Sequence, residues 1–224
     1  MRFLSILFAG LLSLSAGSAF AADAVANPPV ESINWSGAYI GIEAGYGWGG
    51  DSYQYFSDDP VHVRADGFIG GVTAGYNWQR DHLVFGVEGD ISYSAMKGST
   101  HTDVSGPPCR DEGCTATVDW FGTGRARVGY AFENFLPYAT GGFAVGHVKG
   151  SADLGACLPA GSCDYSDTRW GWTAGAGVEW AMNQQISLKA EYLHVDLGAP
   201  DFTRSSVTTD AKFDTARIGM NYHF

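Results

Sequence analysis

The most definite chemistry in the sequence belongs to its four cysteines. They come as "CRDEGC", holding Cys109 and Cys114, and "CLPAGSC", holding Cys157 and Cys163. In an oxidising compartment, pairs this close read as two local disulfides, Cys109–Cys114 and Cys157–Cys163. Cross-pairing stays open, because four cysteines allow three connectivities. Zinc is the competing chemistry, although the spacings are loose for a tetrahedral metal site. Rings this short stiffen loop tips more than they stabilise a whole domain.

A second set is ionic. Glu43, Glu88, Asp90, Glu179 and Glu191 share their alternating positions with Arg125, Arg127, Lys189 and Arg217. Carboxylates beside arginines can do acid–base work. They can also form a structural salt-bridge network, and that is the reading adopted here. Histidines are scattered at 62, 82, 101, 147, 194 and 223. A hydrolase would need a serine two residues from His147 or His194 on the same face, and neither has one. The stretch "GYGWGG" from Gly45 looks like a nucleotide loop, but no helical pattern follows it. No catalytic residue, metal site or cofactor is assigned, and the chain is not read as an enzyme.

These residues sit on elements of one kind. Beyond residue 34 the apolar period is two, repeatedly, and never 3.6. "SGAYIGIEAGYGW", "GFIGGVTAGYNWQ", "LVFGVEGDISYS", "VDWFGTGRARVGY", "PYATGGFAVGHV", "RWGWTAGAGVEW", "ISLKAEYL" and "TARIGMNYHF" give eight candidate strands. In the fourth, Val118, Trp120, Ala126, Val128 and Tyr130 are expected on one apolar face. Connections alternate in length. "RDH", "FEN" and "MNQQ" are short; residues 49–66, 96–117, 149–168 and 198–210 are read as long loops. That alternation predicts an all-β, eight-stranded antiparallel up-and-down barrel with its long loops at one end.

Period two does not say which face is outside. The aromatics do. Trp48, Trp78, Trp120, Trp170, Trp172 and Trp180 lie near strand ends on the apolar face, with small and aliphatic residues between them. Two levels of rings around an aliphatic band match the interfacial girdles of a transmembrane barrel. The opposite face is glycine, serine, threonine and the nine charges named above, which suits a narrow lumen lined with paired ions. The strands also reach the ~9–11 residues a tilted membrane strand needs.

Other features agree. Arg2, the apolar run "FLSILFAGLLSLS" and the A-x-A site at Ala19–Ala21 predict a signal peptide over residues 1–21. Residues 22–34 are expected to be a periplasmic linker and residues 35–224 the barrel. A net charge of −11 argues against a nucleic-acid partner. The long loops are acidic: residues 49–66 hold four aspartates against Arg64. Weak Ca²⁺ or Mg²⁺ bridging to lipopolysaccharide is conceivable there; a solvated loop is the simpler reading.

"WSGAYIGIEAGYGWG", "WFGTGRARVGYAFENFLPYATGGFAVG" and "TARIGMNYHF" resemble the small outer-membrane β-barrel proteins of alphaproteobacteria. These are the porin-family, opacity-type surface antigens, related in fold to OmpA and OmpX. The resemblance covers about residues 35–224. It implies a monomeric barrel in the outer membrane, long loops outside and both termini in the periplasm. Lipids, lipopolysaccharide, periplasmic chaperones and the barrel assembly machinery are the implied partners, with Tyr222 and Phe224 as the assembly signal. The implied role is structural, with surface loops presented for interaction, including with a host surface. Some members of the group bind heme, which would make His62 or His101 candidate axial ligands. A low-conductance pore is the other alternative. The cysteines are not part of the family pattern.

Overall fold

A computed structural model describes residues 33–55, 61–100, 114–152, 163–198 and 207–224. They form eight strands: β1 (Gly37–Tyr55), β2 (Val61–Arg80), β3 (Leu83–Thr100), β4 (Cys114–Tyr130), β5 (Phe135–Ala152), β6 (Cys163–Ala181), β7 (Ile186–Asp196) and β8 (Val207–His223). Each pairs antiparallel with the next, and β8 returns to β1 to close the barrel. Closure leaves no sheet edge.

The short turns share an end with Gly37 and Phe224. Between β2 and β3 the turn is Asp81–His82, with Asp81 at φ 55°. Aspartate tolerates that left-handed conformation better than most residues. Between β6 and β7, the Asn183 side chain accepts hydrogen bonds from the Gln185 and Ile186 N–H groups at 2.9 and 2.8 Å. We refer to this as the short-turn end and to the opposite one as the far end.

The alternation of faces follows the sequence over most of each strand. Ile40, Ile42, Phe68, Val72, Tyr93, Trp170 and Ile218 lie outside and are exposed; Glu43, Thr73, Glu88, Arg125, Glu179 and Arg217 lie inside and are buried. Two expectations fail. The ladders run well into the segments read as long loops, so that seven strands span 17 to 20 residues and only β7 is shorter. Beyond the lipid neither face must be apolar, so the hydropathy signal stops before the hydrogen bonds do. Val118 also faces the wrong way for its expectation. The β4–β5 register shifts between Val118 and Trp120, and this bulge turns Val118 into the interior while Trp120 stays outside.

Glycine makes the narrow interior possible. A Cβ on Gly177 would stand 2.6 Å from Tyr138 Oη, and one on Gly86 would stand 3.1 Å from Arg127 Cγ. Large lumen side chains are thus accommodated by absent ones on the neighbouring strand. Gly177→Val is expected to destabilise the folded barrel by ~1–3 kcal/mol or to prevent closure. Gly141→Ala, where the new Cβ meets only the Thr173 carbonyl at 3.5 Å, should be nearly neutral. Urea unfolding of both variants in detergent, followed by circular dichroism, makes the comparison.

Candidate functional site

The interior is stacked in three layers. At the short-turn end Trp35, Val84, Ala131, Leu136 and Ala181 pack together, with Ile33 against them. Trp35 is 1% exposed, and its backbone N–H donates to Gln79 Oε1 at 2.7 Å. At the far end Met96, Phe121, Val148, Leu193, Leu197 and Phe213 form a larger apolar cluster. There Phe121 and Phe213 meet edge to face, with centroids 5.1 Å apart.

Between the two lies the ionic layer, and all nine charged residues expected to face the lumen are in it. Cross-strand register sets Glu88 opposite Arg125 and Glu191 opposite Arg217. Glu88 is the hub. It pairs with Arg125, with Lys189 at 3.2 Å and with Arg127 at 3.6 Å, and it accepts the Tyr39 hydroxyl at 2.7 Å. Arg125 also reaches Asp90 at 3.0 Å and Glu191 at 2.9 Å. Arg217 joins Glu43 and Glu191, both at 2.5 Å, to Asp90 at 3.1 Å. Lys189 closes a further link to Glu43 at 3.4 Å.

Arg127 is held differently. Its guanidinium lies between two rings, 4.9 Å from the Tyr39 centroid and 5.1 Å from the Tyr138 centroid. It donates to Glu179 at 3.1 Å and to Asn77 at 2.9 Å. Glu179 in turn accepts from Ser187 at 2.5 Å and Asn221 at 2.7 Å. Isolated charges this deeply buried would be prohibitive; here most have several charged or hydrogen-bonding partners.

The sequence pattern missed several members. Tyr39, Asn77, Tyr138, Ser187 and Asn221 are neutral, and nothing in composition distinguishes them from other polar strand residues. Arg169 is a further buried cation that the nine expected charges did not include. It is 4% exposed and lies on β6 opposite Gly146. One expectation about histidine also needs correcting. His147 does have serine and threonine beside it, supplied across the strand pair: Ser166 Oγ lies 3.1 Å from Nε2 and Thr168 Oγ1 lies 3.2 Å from Nδ1. Spacing along one strand cannot reveal a neighbour that register supplies. Hydroxyls occupy both ring nitrogens, so a serine–histidine–carboxylate relay is not assembled.

Other candidates fall elsewhere. Tyr222 and Phe224 are exposed on the outer face at the short-turn end, and their rings meet edge to face at 5.3 Å. His62 lies on β2 opposite Ser52, but its side chain and the whole of His101 are outside the described residues. So are Cys109, Cys157 and the side chains of Cys114 and Cys163. Backbone pairing still says something of the last two. Both stand opposite Ala152, one on β4 and one on β6. That places them two strand spacings apart, ~9.5 Å, beyond the ~4.4–6.8 Å between Cα atoms that one disulfide spans. Non-reducing peptide mapping should therefore find no Cys114–Cys163 link.

The ionic layer yields a second expectation. Glu88→Gln leaves three cations facing one fewer anion and should cost ~3–5 kcal/mol. Adding Arg125→Met should recover part of that loss by restoring neutrality. Glu133→Gln, on an exposed turn, should change stability by less than ~0.5 kcal/mol. Urea midpoints of the variants test all three.

Comparison with known proteins now bears on this geometry. A family model described as "Outer membrane protein beta-barrel domain" matches residues 7–224. The chain is 40% identical to the 31 kDa outer-membrane immunogenic protein of Brucella melitensis, over 98% of this chain and 99% of that one. It is 34% identical to the 25 kDa outer-membrane immunogenic protein of Brucella abortus, over 100% and 99%. The 22 kDa outer membrane protein of Rhizobium leguminosarum is 34% identical over 85% of this chain and 79% of that one. Among solved structures, OprG of Pseudomonas aeruginosa superposes with a TM-score of 0.54 at 16% identity, over 86% of this chain and 98% of that one, a likeness of fold. An exposed apolar belt, aromatic rings at both levels and an ion-filled closed interior thus occur in a chain that belongs to the outer membrane protein β-barrel family, alongside the outer-membrane immunogenic proteins of Brucella.

Proposed function

We propose that the protein is a sealed structural barrel of the outer membrane, which supports envelope integrity and presents its far end for interaction at the cell surface. The carrying observation is the continuous filling of the lumen. Trp35 and Leu136 close one end, Phe121 and Phe213 the other, and mutually paired ions fill the space between. An eight-stranded barrel is just wide enough to be filled in this way. A water-filled pore would need those ions to line open space instead.

In this reading the short-turn end and both termini face the periplasm, and the far end, where ladders extend past the aromatic ring, faces outward. The expected signal peptide at residues 1–21 supports export. Assembly would use the exposed Tyr222 and Phe224 on β8, the strand that closes against β1. The names of the Brucella relatives, outer-membrane immunogenic proteins, favour a surface seen from outside.

Planar-bilayer recording is the direct test. The refolded protein is expected to give no steady unitary current, whereas steady channels altered by Arg125→Ala or Arg217→Ala would overturn the sealed-barrel reading in favour of a pore. Hemin titration followed at the Soret band separates the remaining reading. Non-saturating partition, equal to that of empty micelles, is expected; tight one-to-one binding would make the protein a heme receptor.

A further inference from the structure

Every pair of neighbouring strands in the barrel is joined by the chain at one end, except one: β1 and β8 are joined at neither. Their ladder is held by backbone hydrogen bonds and side-chain packing alone. It also closes the longest loop in the barrel, so it carries the largest closure entropy and has no turn to keep its ends in register. The chain that crosses its short-turn end therefore matters to how the barrel stays shut.

Residues 33–36 cross it. They lead into β1 without joining a ladder. Gly37 turns them over the mouth. Its φ is 135°, a conformation that side chains rarely adopt, and a Cβ on it would stand 3.1 Å from the Phe224 carbonyl oxygen. Trp35 is thereby placed inside, against elements on both sides of the seam. On the β8 side, the His223 ring meets the Trp35 ring nearly at a right angle, with centroids 6.0 Å apart. The Asn34 N–H reaches Gln184 Oε1 in the β6–β7 turn at 3.4 Å. On the β2 side, Gln79 Oε1 accepts the Trp35 backbone N–H at 2.7 Å, and the Gln79 N–H donates to Ser36 Oγ at 2.9 Å. Val84, Leu136 and Ala181 complete the apolar seat from β3, β5 and β6. Strands from both ends of the sequence build this seat, so it exists only once β8 has come round to β1.

The fastening is also releasable. Val84 and Leu136 sit on strands and cannot leave the seat without breaking a ladder. Trp35 can leave by rotation about Gly37, at the loss of hydrogen bonds to side chains rather than of a ladder. Its seating is moreover a compromise. The indole N–H is buried and has no hydrogen-bond partner among the described residues. Apolar burial of the ring must therefore offset the lost hydration of Nε1.

We infer that residues 33–36 are a latch on the closure of the barrel. Once β8 has paired with β1, Trp35 swings on Gly37 into the mouth and straps β1 to β8 and to the β6–β7 turn. The seam cannot then open from this end until Trp35 withdraws. Because the seat forms last, the latch slows opening and leaves folding untouched. It works in the same way whichever side of the membrane this end faces, and whether or not the lumen conducts.

Folding and unfolding rates test it. Refolding in detergent and unfolding in urea are both followed on cold SDS gels, which separate folded from unfolded barrel. Trp35→Ala is expected to unfold ~100-fold faster, with folding changed less than ~2-fold. Trp35→Phe keeps a ring and drops the unpartnered N–H, and should unfold no more than ~10-fold faster. Hydrogen exchange of the folded Trp35→Phe variant supplies a readout that ordinary packing would not move. Exchange should rise at residues 38–41 and 221–224, the short-turn end of the seam. Residues 83–86 and 127–130, a β3–β4 ladder at the same end, should keep their protection. Val84→Ala, in the same cluster, should do the reverse. Slower folding, up to failure of Trp35→Ala to refold, would place Trp35 in the folding nucleus and overturn the latch. So would exchange that rises evenly around the mouth, or unfolding of both Trp35 variants at the unmodified rate.

Discussion

In hydrocarbon no water is present to satisfy a backbone N–H or C=O, and this constraint governs the rest of the molecule. A single sheet can meet it only by closing on itself. Closure makes β8 pair with β1 along 17 residue pairs, from Tyr39–His223 to Tyr55–Val207. It also divides every strand into one face for lipid and one for a narrow interior. The aliphatic belt with its aromatic rings and the glycine-rich lining are the two consequences.

The interior then sets its own problem. Its side chains must fill a tube too narrow for bulk water, and many of them are charged. The structure meets this by mutual pairing and density together. Among the described residues five carboxylates meet Arg125, Arg127, Lys189 and Arg217, and Glu88 alone contacts Arg125, Arg127, Lys189 and Tyr39. A buried ion network adds little net stability over a well-packed apolar core, but breaking one member is costly. It therefore makes the inward face hard to exchange with the outward one. A register slip by a single residue would put these ions into lipid. The apolar clusters at either end shield the ions from solvent and close the tube.

Exposed charge at the far rim is partly paired in the same way. Inside, each ion is neutralised by the chain itself. On the far rim Lys212 and Lys149 are also paired within the protein, with Asp196 and Asp119.

Much of this was legible in the residue order. Period two, alternating connection lengths and the placement of tryptophan determined the closed eight-stranded meander and its inside-out polarity, since each is a local consequence of strand geometry. The parity of Glu43, Glu88, Arg125 and Arg217 also placed them inside without coordinates. The partners were not legible. That Glu88 is the hub, that Arg127 lies between Tyr39 and Tyr138 and that Ser166 meets His147 all depend on register. So does the inward turn of Val118, which hangs on one extra residue at a bulge. Register is fixed by the summed fit of all eight strands around a closed ring. No single stretch of sequence contains that sum, and only the tertiary structure decides it.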